Sequence, residues 1–166
     1  MKKIIILAVC IVSLFTAACF APGCLAASNN GAVGDNSQIP NPYITCRTMA
    51  KAEKIAGFKM TTKKTITGYS HRTYQAIKKE MIQVSWTKGD DQILIRKAAG
   101  KSDISGDYNE YTSKIIVTAG KVKVTMKGDG NTYNVAIWRA GKHSFAIDSD
   151  QGLSQETMTA LVKATH

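Results

Sequence analysis

The chain has 166 residues, 44% of them hydrophobic and 20% charged, with 3 prolines and a formal net charge of +10. That length holds one domain with a sizeable core, and the low proline content argues against long disordered linkers. The excess of 22 Lys and Arg over 12 Asp and Glu favours anionic polymers or membranes as partners through the summed field, with a plain soluble basic surface as the simpler alternative.

Met1 to Ala27 reads as a secretion signal. Lys2 and Lys3 form its positive end, and Ile4 to Phe15 is an apolar run too short to span a bilayer comfortably. Its removal takes away two lysines and no acid, leaving 20 basic and 12 acidic residues, a net +8. Two exits are open. An ordinary signal peptidase fits the small side chains around Ala26 and Ala27. Alternatively, Thr16-Ala17-Ala18-Cys19 resembles a bacterial lipobox, with Cys19 as the lipidated new terminus. An anchor there would hold the protein at the outer face of a membrane; without it the protein is secreted. Of the 4 cysteines, Cys10, Cys19 and Cys24 belong to this segment. Cys46 therefore stands alone in the folded part. It has no disulfide partner and is expected as a small buried hydrophobe.

Ser28 to Gln38 is polar and contains glycine, and reads as a flexible linker. The domain runs from Ile39 to His166. Ile39 to Tyr43 enters extended, because each proline keeps its predecessor out of helical geometry. Ala50 to Ala56 predicts a short helix, capped by Thr45 or Thr48 and ended by Gly57. Met49, Ala52, Ile55, Ala56 and Phe58 form its apolar stripe.

Strands follow. They cover Gly68 to Ile77, Met81 to Thr87, Gln92 to Lys97, Lys114 to Thr118, Lys121 to Lys127, Asn131 to Arg139 and His143 to Asp148. Alternation is clearest in KVKVTMK, where Val122, Val124 and Met126 point one way and Lys121, Lys123, Thr125 and Lys127 the other. Lys78-Lys79 makes an unusual hairpin turn. Short turns force antiparallel pairing, so the run predicts a meander of about seven strands. Ser154 then caps a closing helix whose apolar edge is Leu153, Met158, Leu161 and Val162. The expected fold is α+β: one antiparallel, curved meander sheet, greasy on one side and lysine-rich on the other, covered by two short helices.

Several segments together, IPNPY, MAKAEKIAGF, RKAAGKSDISGDYNEY, VAIWRAGKHSFAI and SDQGLSQETM, resemble a bacterial domain family of unknown function. That family occurs in secreted and lipid-anchored proteins, and as the extracytoplasmic part of some membrane-bound anti-sigma factors. The resemblance covers nearly everything from Ile39 to Thr165. It implies an α+β fold and an exported location, and it brings no catalytic residues. Chains attached to anti-sigma factors begin with a cytoplasmic region and a membrane span. This one begins with a short signal instead.

The most distinctive loop is Asp103 to Tyr111. Alternating oxygen-bearing side chains suggest a cation loop, but Gly106 is misplaced for an EF-hand and no glutamate closes the pattern. The alternative is a structured connection, with Asp and Asn satisfying turn backbone, Gly106 at positive φ, and Tyr108 and Tyr111 pinning the loop to the sheet. If the loop binds, Asp103, Asp107 and Tyr108 are the candidate residues. His71, His143 and His166 have no metal-ligand spacing. GxSxG, HExxH and phosphate-loop motifs are all absent. No catalytic residue, metal or cofactor is therefore assigned. Lys114, Lys121, Lys123, Lys127, Arg139 and Lys142 form a basic face suited to an anionic polymer, although exposed lysines also guard sheet edges. Trp86 and Trp138 read as core rather than base-stacking platforms, so no specific nucleic acid is expected. The functional expectation is an exported, non-enzymatic binding or sensing domain at the bacterial cell envelope, its partner an envelope ligand or protein. Membrane contact is expected only through a lipid anchor. Two alternatives are an extracytoplasmic enzyme with a site assembled in three dimensions, and a polyanion-binding module using the lysine face.

Overall fold

A computed structural model describes residues 40–166. The expected signal segment, Cys19 and the linker lie outside them. The elements are β1 (Ile44–Cys46), α1 (Met49–Ala56), β2 (His71–Ile77), β3 (Met81–Lys88), β4 (Asp91–Ala99), β5 (Ser113–Ala119), β6 (Val122–Gly128), β7 (Thr132–Ala140), β8 (His143–Ser154) and α2 (Gln155–Ala164). They form the expected α+β domain with one open antiparallel sheet of eight strands. The additional strand is β1, three residues long, at the edge beside β2.

The expected unbroken meander is corrected at one place. The strand order is β1-β2-β3-β4-β8-β7-β6-β5, so β4 pairs with β8 rather than with β5. Two-residue turns leave neighbouring strands no choice, but residues 100–112 are long enough to carry the chain to the far edge. The second meander then returns toward the first. Joining at β4 and β8 merges two apolar half-sheets into one continuous inner face.

That inner face is built by alternation. Val84, Ile95, Ile147 and Ala136 lie side by side across β3, β4, β8 and β7 and are fully buried. Val124 and Met126 continue it on β6 with no exposure, as KVKVTMK predicts. Each large side chain buried this way contributes about 1.5–3 kcal/mol. Trp138 stacks on Phe145 at 5.1 Å, and Trp86 is equally buried. Cys46 is a free, buried thiol.

Each helix covers one half. α1 packs on β1, β2 and β3, and α2 on β5, β7 and β8. The Thr48 hydroxyl accepts from the Lys51 N–H at 3.2 Å, and Gly57 ends the helix at φ 82°. The Ser154 hydroxyl accepts from the Thr157 N–H at 3.2 Å. The Lys78-Lys79 turn has a reason. Lys79 adopts φ 58°, and its N–H donates to the Ile55 carbonyl at 3.1 Å, one of the unpaired carbonyls at the end of α1. A lysine there also sits at the negative end of the helix dipole.

β8 runs to Ser154, past the expected end at Asp148, across a register shift near Tyr133 and Val135. At this corner Gly128 is obligatory, since a Cβ would meet the Thr132 carbonyl oxygen at 2.1 Å. Lys97 is a charged residue in the inward phase of β4, two positions after Ile95. It is 8% exposed, donates to the Lys59 carbonyl at 2.6 Å, and lies near the Phe58 and Phe145 rings. Burial holds its pKa below the ordinary lysine value.

Candidate functional site

The outer face carries the chemistry, and Arg96 on β4 is its hub. Its Nε donates to Gln83 Oε1 at 2.7 Å, and Gln83 Nε2 donates on to Gln75 Oε1 at 2.8 Å. Its Nη1 donates to Asp148 Oδ2 at 2.8 Å. This chain of polar side chains links β2, β3, β4 and β8. The same guanidinium donates to the carbonyls of Ser105 and Ile104, which holds residues 100–112 down on the sheet.

The loop is wired largely to itself. Asp103 Oδ1 accepts from both the N–H and the hydroxyl of Ser105. Asp107 Oδ1 accepts from the Asn109 N–H, the Asn109 side-chain amide and the Tyr111 hydroxyl. Gly106 takes φ 67°, as expected, over the Arg96 guanidinium. Thr112 then donates twice to Asp129 Oδ1, both at 2.8 Å, tying the loop to the turn between β6 and β7. Asp103 and Asp107 therefore share one loop but face different clefts, and Tyr108 joins neither. Tyr108 is 95% exposed, which corrects the expectation that it pins the loop. Tyr111 bonds within the loop, to Asp107, and Arg96 and Asp129 hold the loop down instead.

On one side of the loop a small cleft of ≈ 270 Å³ gathers Asp107, Tyr111, Asn134, Asp148 and Asp150. Asp148 is the unusual group. Burial pushes its pKa up to about 7; the Arg96 charge opposes this, and Asp107 and Asp103 add to it. Burial wins because Asp148 Oδ1 has no hydrogen-bond donor, so the ion pair satisfies only half the carboxylate. Burial also raises the Tyr111 hydroxyl. Among the described residues, no cluster of three or more His, Cys, Asp or Glu side chains has the geometry to hold a metal ion.

On the other side lie two adjoining open clefts of ≈ 340 and ≈ 460 Å³ that share Thr125, Ile137 and Arg139. Lys114 and Lys127 line the first, Lys121 and Lys123 the second. Lys114 and Lys127 are direct cross-strand partners, an unfavourable pairing of like charges. Lys127 lies 3.6 Å from Asp107. Among the described residues, no carboxylate lies within bridging distance of Lys114, Lys121, Lys123 or Arg139. The sequence singled out these basic residues, but it did not show Arg96 as the hub. Its long-range partners carry no sequence signal.

No family model, no curated protein and no solved structure matches this chain. Function has to be argued from geometry and charge.

Proposed function

We propose that this is an exported binding domain of the bacterial cell envelope that holds an anionic polymer against the outer face of β5, β6 and β7. The observation that carries this reading is where the cations stand. Edge protection accounts for Lys114 on β5, but β6 and β7 are interior strands with both neighbours paired, and need no guard. Lys123, Lys127 and Arg139 nevertheless line the outer face there, beside one like-charged partner. A polyanion relieves that repulsion and gains contacts along the run of open clefts. The signal-like first 27 residues and the family resemblance support an extracytoplasmic setting, where teichoic acids and anionic lipid head groups supply such charge.

The test is binding to teichoic acid and to heparin over a range of salt. Log affinity is expected to fall linearly with log salt, with a slope of about −0.7 for each cation engaged on a flexible polyanion. Elution from both matrices at the lowest salt would remove the proposal.

A second reading, an extracytoplasmic enzyme, is favoured by one observation. Asp148, whose carboxyl burial pushes up to about 7, shares a cleft with Asp107, and a carboxyl raised in this way suits acid–base work. Against it, Arg96 engages Asp148 and three donors engage Asp107. Turnover of an ester, glycoside or phosphodiester that disappears in Asp148→Asn would favour the enzyme.

A further inference from the structure

The sheet is open, and its two edges are built differently. β1 is three residues long and follows Pro40 and Pro42, which blunts it. β5 is seven residues, Ser113-Lys114-Ile115-Ile116-Val117-Thr118-Ala119, with no proline and one charge. Among the described residues its only backbone partner is β6, and no turn or side chain bonds to its free edge. Ile116, on the wet face, is 70% exposed and stands outside the core.

The order of side chains along β5 is close to a palindrome about Ile116. Ser113 matches Ala119 in size. Lys114 mirrors Thr118, both outward and polar. Ile115 mirrors Val117, both β-branched and half-buried on the core side. We propose that β5 pairs antiparallel with β5 of a second copy, centred on Ile116, so that the sheet continues across a two-fold axis. In that register the two Ile116 side chains meet at the axis, and each Ile115 meets a Val117, extending both cores. Each Lys114 lies opposite a Thr118 hydroxyl rather than another lysine. The two Lys114 residues are then four positions apart, about 14 Å at strand spacing, beyond the screening length of physiological salt. A second copy brings these matches by symmetry alone, which no unrelated strand does. The two-fold axis stands perpendicular to the sheet, so both outer faces lie on one side. The dimer does not rest on the polyanion reading, but it would double the length of basic surface if that reading holds.

Sedimentation of the purified protein over a concentration series tests this, with folding followed by circular dichroism. Wild-type protein is expected to dimerise. Thr118→Lys sets ammonium groups opposite each other twice across the dimer axis and adds one pairing with Lys123 inside each copy; it is expected to weaken association about tenfold, with circular dichroism showing that the strand stays folded. Adding Lys114→Glu to Thr118→Lys creates two opposite-charge pairs in this register and should restore the dimer. Three results would overturn the proposal: a wild-type monomer up to its solubility limit, a dimer indifferent to Thr118→Lys, or a stoichiometric complex in which another protein's strand occupies β5.

Discussion

The outer face over β2, β3 and β4 and the outer face over β5, β6 and β7 belong to one sheet, above one core, yet their chemistry differs. The first is a closed network, in which Gln75, Gln83 and Arg96 hydrogen-bond in sequence and Gln92 Nε2 donates to Ser85 Oγ at 2.8 Å. The second is a row of cations mostly without carboxylate partners among the described residues. The inner side of both halves is the same greasy surface under one short helix. The contrast teaches that burial dictates one side of a strand, whereas the other side is free to satisfy itself or to await a partner.

A large effect is expected at the seam between the halves. Arg96→Ala removes the donor to Gln83, Asp148 and the loop carbonyls, and leaves a mostly buried carboxylate without its cation. A loss of about 3 kcal/mol in denaturant unfolding is expected. A loss below about 1 kcal/mol would show that the two halves hold together without this hub.

Next comes the pH dependence of Asp148. Its folded pKa of about 7 lies above the ordinary 3.8, so the folded state binds the extra proton in between. Stability therefore falls as pH rises from about 4 to about 7, by roughly 4 kcal/mol if the shift is fully expressed. Asp148→Asn is expected to flatten that slope. Equal pH profiles for the two proteins would break the assignment.

The comparison itself is tested by substituting polar side chains on each half. Lys123→Gln and Arg139→Gln should each make the salt dependence of polyanion binding shallower by about 0.7. Gln75→Ala and Gln92→Ala, in the self-satisfied half, should leave it unchanged. The smallest effects concern the equivalence of the inner sides. Thr48→Ala and Ser154→Ala each remove one helix cap, one under each half, and each should cost about 1 kcal/mol in thermal or denaturant unfolding.

Much of the fold was legible in the sequence because alternation and capping are local. Val122, Val124 and Met126 declared their side, and Thr48, Gly57 and Ser154 marked helix ends. β1 was not legible, since three residues are too few to show a period. The burial of Lys97 was not legible either, because the Lys59 carbonyl and the two aromatic rings that make it tolerable come from distant residues. At the candidate site, the basic residues were readable one by one. Their separation into an interior-strand row was not, because it depends on which strands are edges.

The sequence alone determined which side of strands such as β6 is apolar, where the helices begin, and that neighbouring strands run antiparallel, all consequences of geometry within a few residues. Only the tertiary structure decided that β4 meets β8, that residues 100–112 cross the outer face over Arg96, and that β5 is an unpaired edge among the described residues. Those outcomes turn on contacts between distant residues. The entropy of closing a long loop changes slowly with its length, so no local pattern chooses the partner; the merging of two apolar half-sheets does.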